Sequence, residues 1–451
     1  MYRIDIPENV KLILDRLGAA GYDSYLVGGC VRDHVMGFKP HDYDVTTPAT
    51  PDKVAACFPD LHVIETGLKH GTVTVVSAGQ PVEITTFRTD GEYLDNRRPE
   101  HVTFVRDLES DLSRRDFTVN ALAYSPERGL VDMFGGLRDI GDRVIRCVGD
   151  PETRFKEDGL RILRALRFAS RLGFSIDSVT DRAIRKCRTL LDNISAERIF
   201  SELCGILTGD GAERVVYDYS DVMFQIMPEL EPMSRTEQNN PHHIYNVWEH
   251  TVKALGASEK GRVMRLAMLF HDSGKPARKT TDENGIDHFH GHPEVSCDIA
   301  RTVLNRLRCD NQTKDDVLFL VRYHDTRFSP KDNRVRKFIA DVGEERFREL
   351  MKAKRADMAA QSRMSQEKTG EELRRLGDIL EEMKSSGACM SLKDMEINGR
   401  DLVEMGVPQG KAVGELLNRL YDMVVTEEIE NNREQLIRKA RQLIDGELTE
   451  M

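Results

Sequence analysis

Near residue 145 the chain changes its hydrophobic period, and no single motif constrains the fold as much. Before that point, short runs rich in Val, Thr and Ile are bounded by Gly, Asp or Pro: YLVGG, HVIETG, GTVTVVS, PVEITTFRTD, HVTFVRD and VDMFGG. Such runs read as strands of a mixed sheet. ENVKLILDRLGAAG, ahead of the first strand, reads as a helix with Gly21 as its C-cap. After about residue 150 helical spacing takes over, and EDGLRILRALRFASRLGF is an amphipathic helix that Gly173 should stop. The expected class is α+β: a small N-terminal α/β domain followed by an all-helical body. A chain of 451 residues has room for roughly three domains of about 100–200 residues. No apolar run approaches the ~18 residues of a membrane span, so no membrane partner is expected. MYRIDIPENV lacks the basic and apolar regions of a secretion signal. Eight scattered cysteines without a CxxC pair fit reduced thiols in a cytoplasm.

Four segments carry residue types that chemistry would use. In Leu26-Val27-Gly28-Gly29-Cys30-Val31-Arg32-Asp33 a strand ends on two glycines and enters a helix. Glycines let a ligand approach the backbone, helix-start N–H groups suit phosphate, and Arg32 adds a fixed charge. The plain alternative is a turn. Next, in His41-Asp42-Tyr43-Asp44-Val45, side chains two apart in a strand share a face, so Asp42 and Asp44 would point the same way. Two such carboxylates repel unless a cation lies between them, and Mg²⁺ prefers a few carboxylates plus phosphate oxygens. Glu83, on a neighbouring predicted strand, could be a third carboxylate or an outward-facing residue.

In Ser113-Arg114-Arg115-Asp116-Phe117-Thr118-Val119-Asn120 the paired arginines offer bidentate donors to a triphosphate. Asp116 and Asn120, four apart, could share one face of a helix turn. In Glu157-Asp158-Gly159-Leu160-Arg161 the spacing makes Asp158 and Arg161 helix neighbours, with Arg164 and Arg167 extending the row. A carboxylate acceptor beside a guanidinium donor can read the exocyclic amine and ring nitrogen of cytosine or adenine and reject guanine and uracil. An intrahelical salt bridge is the alternative.

These segments, in this order, resemble the class II tRNA nucleotidyltransferases, the CCA-adding enzymes and their bacterial poly(A) polymerase relatives. The likeness rests on LVGGCVRD, DYDVTT, TGLKHGTVTVV, VEITTFRTDGEYLDNRRPEHVTF, DLSRRDFTVNALA, EDGLRILRALRFA and AERIFSEL, and covers about residues 22 to 205. The resemblance implies a polymerase-β-like palm at 1–145, a helical neck at 146–230 and a tail at 366–451 that docks tRNA. It implies that Asp42 and Asp44 hold two Mg²⁺ ions, with Glu83 beside them. Gly28, Gly29, Arg32, Arg114, Arg115, Asp116 and Asn120 would form the nucleotide site. Asp158 and Arg161 would select CTP and ATP, supported by Arg164 and Arg167. The implied reaction is in-line attack of a tRNA 3′-hydroxyl on the α-phosphorus, without a nucleic-acid template. The turn-rich stretch from Arg88 to Pro99 matches a loop that CC-only members tend to lack, which favours full CCA addition over A-only or poly(A) addition.

Eight of the thirteen histidines lie between 242 and 324. His250, Phe270-His271-Asp272-Ser273-Gly274-Lys275, His292, His324 and Asp357 resemble the HD metal-dependent phosphohydrolase domain, placed here at 240–365. In that likeness His250, His271, Asp272 and Asp357 are the core ligands of a divalent transition metal, and His292 and His324 supply a second metal or the substrate. Ser273 fills a slot that is usually apolar, and His288 and His290 are expected to be buried, satisfied histidines. Alternatives are a helical RNA-docking body without turnover, or a phosphohydrolase whose N-terminal domain only binds nucleotide. The formal charge of −11 excludes a uniformly basic coat. It does not exclude an RNA partner, since residues 151–200 carry 11 Lys+Arg against 7 Asp+Glu while the stretch from 366 onward carries 19 acidic and 12 basic residues. Phosphates respond to charge within about 10 Å.

Overall fold

A computed structural model describes residues 4–65, 67–68, 71–90, 102–328, 334–385 and 392–449. The chain forms two compact units, Met1–Glu229 with Leu304–Cys309, and Leu230–Val303 with Asp310–Met451. Among the described residues no helix is long and apolar enough to cross a membrane.

Strands β1 (Tyr25–Val27), β2 (Asp44–Thr47), β3 (His62–Ile64), β4 (Thr72–Ser77), β5 (Gln80–Thr86), β6 (Arg88–Asp90), β7 (Val102–Phe104), β8 (Leu122–Ser125) and β9 (Gly129–Asp132) lie in the first unit. Seven of them form one sheet in the order β3-β4-β5-β2-β1-β8-β9, while β6 and β7 pair separately. β2 runs parallel to β5, and the other neighbours in the sheet are antiparallel. Alternation divides the two faces. Leu26, Val45, Val73, Val75, Val82, Ile84, Leu122 and Tyr124 pack with Val10, Ile13, Leu14 and Leu17 of the helix Glu8–Ala19. Tyr25, Val27 and Ala123 form a smaller cluster with Phe87 and Leu112. That second face has less apolar surface, and it bears the carboxylates.

Each strand-like run of the sequence contributes a strand. β8 has no alternation to announce it, because all four of its residues are buried. The VDMFGG run stops at Asp132, whose carboxylate accepts the N–H groups of Phe134, Gly136 and Leu137 at 3.3, 2.9 and 2.9 Å. The amphipathic helix spans Leu160–Leu172 and ends at left-handed Gly173 (φ +67°). It begins later than its pattern suggested. Asp158 is extended and accepts the Leu160 N–H at 3.1 Å, and a Cβ on Gly159 would sit 3.1 Å from the Leu190 carbonyl oxygen. Helix Ala196–Leu207 lies against it, and Ser170 donates to the Ile206 carbonyl at 2.6 Å.

Among its described residues the second unit is helical but for one two-stranded ribbon, Thr280–Thr281 with Asp287–His288. Helices Val247–Ala257, Glu344–Ala359 and His292–Arg306, and the C-terminal ends of Arg262–Phe270 and Asn311–Tyr323, carry the polar centre described below. Two further apolar clusters follow, one around Ile339, Phe347 and Leu376, the other around Leu402, Leu420 and Leu436.

Candidate functional site

In the first unit the glycine turn, the carboxylate strand and the arginine segment converge. Gly28 (φ +75°) takes a conformation a side chain would strain, and a Cβ there would stand 3.1 Å from Arg115 Nη1. Register does the rest. Val27 faces Asp44 across β1–β2, and Asp44 faces Glu83 across β2–β5, so the carboxylates of Asp44 and Glu83 share the sparser face of the sheet. Asp42 is a correction to the sequence reading: it lies outside β2, which begins at Asp44, opposite the last residue of β1 before that strand turns into its helix. Its charge still reaches Asp44. Burial first, then Glu83 and Asp42, push the Asp44 carboxyl up to about 6, with Arg115 pulling the other way.

The two arginines of the pair separate. Arg114 directs Nε and Nη2 to Asp111 at 3.0 and 2.8 Å, whereas Arg115 stands beside the Gly28 turn, 3.6 Å from the other Asp111 oxygen. Asp111 is fully buried and also accepts from Thr46 and from the Arg88 N–H. Asp116 and Asn120 do not sit on one α-helical turn, since only Thr118–Asn120 is helical, as a 3₁₀ turn; they meet through a 3.2 Å bond from Asn120 Nδ2. Asn120 Oδ1 accepts from Arg32 Nη1 at 2.6 Å, and Asp116 Oδ2 accepts from Arg164 Nε and Nη2 at 2.8 and 2.6 Å. Burial alone would raise the Asp116 pKa, but Arg164, Asn120 and Arg161 hold it at about 2.

Asp158 and Arg161 do not pair with each other on a helix, because Asp158 stands before the helix begins. Arg161 Nη1 bonds Glu157 at 2.5 Å and Nη2 bonds the Arg114 carbonyl at 3.1 Å. Asp158 Oδ2 accepts from Arg198 Nη2 at 2.8 Å. Arg167 Nε forms an ion pair with Glu202 Oε2 at 2.7 Å, and a Cβ on Gly205 would press to 2.5 Å from the Arg167 Cδ. The ring of Phe168 gathers the guanidinium groups of Arg32, Arg164 and Arg167 at 5.2, 5.5 and 4.7 Å. Phe168, Asp111, Arg198 and Glu202 were given no role in the sequence reading, although each lies in one of its motifs: EDGLRILRALRFA, DLSRRDFTVNALA and, for the last two, AERIFSEL.

In the second unit Asp272 stands between two pairs of histidines. Its Oδ2 lies 3.4 and 3.3 Å from His250 and His271 Nε2, and its Oδ1 lies 3.2 and 3.5 Å from His292 and His324 Nε2. Asp357 Oδ1 is 2.8 Å from His250 Nε2 and 3.7 Å from His271 Nε2. Two groups, His250–His271–Asp272 and Asp272–His292–His324, have the spacing to hold a metal ion. Every Nδ1 faces a main-chain carbonyl: Ala360 at 3.2 Å, Met268 at 2.7 Å, Phe289 at 2.9 Å and Val321 at 2.7 Å, for His250, His271, His292 and His324 in turn. A carbonyl only accepts, so the proton belongs on Nδ1 and the Nε2 lone pairs converge, 3.3 Å apart in one pair and 3.2 Å in the other. That donor set calls for cations. Without one, Asp272 and Asp357 outweigh the burial that would lower His271 and push it up to about 10.

Ser273 causes no disturbance, since its hydroxyl donates to the Phe270 carbonyl at 2.8 Å. Lys275, unnoticed in the sequence, is buried and reaches Asp272 and Gln238, each at 2.7 Å. His288 and His290 are not buried. His288 bonds Asp282 at 3.1 Å, and the two rings stack 5.6 Å apart on the wall of the cleft over the cluster.

Family models match three stretches: "Poly A polymerase head domain" over 24–146, "Probable RNA and SrmB- binding site of polymerase A" over 173–233, and "tRNA nucleotidyltransferase domain 2" over 288–440. The CCA-adding enzyme of Ligilactobacillus salivarius (strain UCC118) is 34% identical over 448 residues, 98% of each chain. That of Geobacillus stearothermophilus is 50% identical over 204 residues, 45% of this chain and half of that one. Among solved structures, the Bacillus stearothermophilus CCA-adding enzyme in complex with CTP superposes with a TM-score of 0.72 at 30% identity, covering 98% of this chain and 99% of that one. The Thermotoga maritima CCA-adding enzyme complexed with tRNA shares the fold, with a TM-score of 0.62 at 18% identity, over 97% of this chain and 96% of that one. On the full-length likeness to the salivarius enzyme, the chain belongs to the family of CCA-adding enzymes.

Proposed function

We propose that this protein adds or repairs the 3′-terminal CCA of tRNA, using CTP and ATP and no template. The observation that carries the reading is the register that sets Asp44 beside Glu83, facing a glycine turn backed by Arg115. Asp42 and Asp44 would hold two Mg²⁺ ions, with Glu83 adding charge. The raised Asp44 carboxyl is in keeping with this: burial raises it most, and the nearby charges of Glu83 and Asp42 add to that. When bound, such ions lower the pKa of an attacking hydroxyl and stabilise a departing pyrophosphate. The remaining work falls to side chains. Gly28 and Gly29 leave room for a triphosphate, Arg32 and Arg115 offer it donors, and Arg114 is the brace that locks Asp111 behind them. Asp116 and Asn120 align Arg32 and Arg164. Asp158 and Arg161 would read the base edge, one accepting from its amine and the other donating to its ring nitrogen.

The parts of this reading are a head at 1–145, a neck at 146–230, a metal-dependent domain at 240–365 and a tail at 366–451 that docks tRNA. The protein would act in the cytoplasm. Full CCA addition is favoured over A-only or poly(A) addition by the names of its relatives. The stretch Arg88–Pro99, the sequence argument for the same choice, lies outside the described residues from 91 onward. The test offers tRNA lacking its 3′ end to the protein with each labelled nucleotide alone and in combination. CMP should be added twice and AMP once, and growth of an A run from ATP alone overturns the reading.

A second activity is favoured by the convergence of four Nε2 lone pairs on Asp272. His250, His271, Asp272 and Asp357 would hold one divalent transition metal, and His292 and His324 a second metal or the substrate. The chemistry would be hydrolysis of a phosphomonoester or 2′,3′-cyclic phosphate, clearing damaged 3′ ends before addition. Metal analysis and a phosphatase assay of His271→Ala against the parent decide it.

A further inference from the structure

The cleft over the Asp272 cluster has two lobes. The larger, about 530 Å³, lies over Asp272 and His292; a smaller one of about 190 Å³ adjoins it, and both reach His243, His324, Arg327 and Asp357. His288, Phe289 and His290 wall the larger lobe. The His288 and His290 rings are within 8° of parallel and His290 is exposed, so the stack offers a surface on which a planar base can continue. The smaller lobe runs along the helix Arg363–Ser385 and is lined by Lys368 and Thr369. Its cations are Arg327, Lys354 and Lys368, against Asp325, Asp357 and Glu372. Lys354 already donates to the His324 and Thr326 carbonyls, and the Glu372 carboxylate accepts the Phe328 N–H. Arg327 and Lys368 have no ion-pair partner among the described residues. At the junction His242 is fixed by Ser365 Oγ, 2.8 Å from its Nδ1. A free phosphoester needs only the ligand cluster, and a free nucleotide needs only the larger lobe.

We propose that this cleft takes the 3′-terminal nucleotide of an RNA strand, with the last base against His288 and His290 and the preceding phosphate beside Arg327 and Lys368. The proposal rests on the phosphohydrolase reading. In the step it serves, a water oxygen bonds to the phosphorus of a 2′,3′-cyclic phosphate as one ribose P–O bond breaks. The water's proton passes to the released ribose oxygen, and no redox partner is needed.

The full chain, loaded with Mn²⁺, is given three substrates: p-nitrophenyl phosphate, a nucleoside 2′,3′-cyclic phosphate, and a tetraribonucleotide ending in a 2′,3′-cyclic phosphate. The tetranucleotide should exceed the mononucleotide in kcat/KM by about tenfold, and Arg327→Glu with Lys368→Glu should erase that advantage alone. His290→Ala should cost both nucleotides about tenfold through KM and spare p-nitrophenyl phosphate. A second measurement needs no turnover. On metal-stripped protein, 4-thiouridine at the last position of a tetraribonucleotide 3′-phosphate should crosslink to the 286–290 segment on irradiation. Equal handling of mononucleotide and strand, with turnover abolished by His271→Ala, overturns the proposal and leaves the phosphohydrolase reading standing. Absence of turnover on all three substrates overturns the phosphohydrolase reading, and absence of the crosslink from the 286–290 segment overturns the proposal.

Discussion

In the first unit, Asp116 is held by the fork of Arg164, Asp158 by Arg198 and Arg167 by Glu202. In the second, four histidines are held through Nδ1 by main-chain carbonyls. The means of restraint suits the task. A guanidinium bonded to a carboxylate can exchange that partner for a phosphate or a base edge at little cost, because charge meets charge in both states. A carbonyl fixed in a helix end offers no such exchange, so the histidine lone pairs stay aimed whatever enters. On the proposed roles, a site passing two nucleotides in succession would gain from the first arrangement, and a standing metal site from the second. Substitutions in the first unit should therefore grade from severe to mild with distance from Asp44. In the second they should fall together.

The widest separation is expected from Asp44→Ala. Nucleotide transfer should drop by at least about 10³-fold, on the order of 4 kcal/mol, with the thermal melt and any phosphatase activity unchanged. Full transfer by the purified variant would sink the metal assignment. His271→Ala is the mirror image: metal content and phosphohydrolysis should vanish while nucleotide transfer stays within about twofold, ~0.4 kcal/mol. A joint loss would mean that the two clusters are not separate devices. Between these extremes lies base choice. Asp158→Ala should raise UMP and GMP incorporation relative to CMP and AMP by about 10- to 100-fold, the range set by one bidentate contact. Arg198→Ala, which frees one Asp158 oxygen and removes no base contact, should give about fivefold. An unchanged preference in Asp158→Ala removes it from base reading.

How far these residues were legible follows from the same contrast. The Asp272 cluster was readable because its histidines are rare residues gathered in one stretch, and their type fixes their chemistry. Asp44 and Glu83 were readable as strand residues, but their adjacency is a matter of parallel register across 39 positions, which no local pattern encodes. The arginine pair misled, since Arg114 and Arg115 are chemically alike and only the buried Asp111 decides which one faces the turn. Asp158 misled for a backbone reason: the periodicity of 157–173 is continuous, but Asp158 is extended and accepts the Leu160 N–H, and Gly159 packs on Leu190. His288 and His290 misled because alternation in a two-residue strand carries no information about which face is solvent.

The smallest effect tests whether the arginine–carboxylate lattice of the first unit also stabilises it. Asp116 holds its carboxyl at about 2 against an ordinary 3.8. A depressed folded-state pKa contributes stability that is fully present above the unfolded value and is lost as pH falls through the folded one. The window is therefore about pH 4 down to pH 2, with a contribution of about 2 kcal/mol above it. Asp116→Asn has no such proton to take up. Its stability deficit relative to the parent should be constant between pH 7 and pH 5 and should shrink between pH 4 and pH 2.5. Hydrogen exchange of the Leu160–Leu172 amides, corrected for the intrinsic rate at each pH, reads the deficit in the helix that carries Arg164. A deficit that persists unchanged to pH 2.5 would mean that Asp116 is held by the neutral bonds from Asn120 and the Phe117 N–H, and that Arg164 is free to leave it for a nucleotide at no cost to the fold.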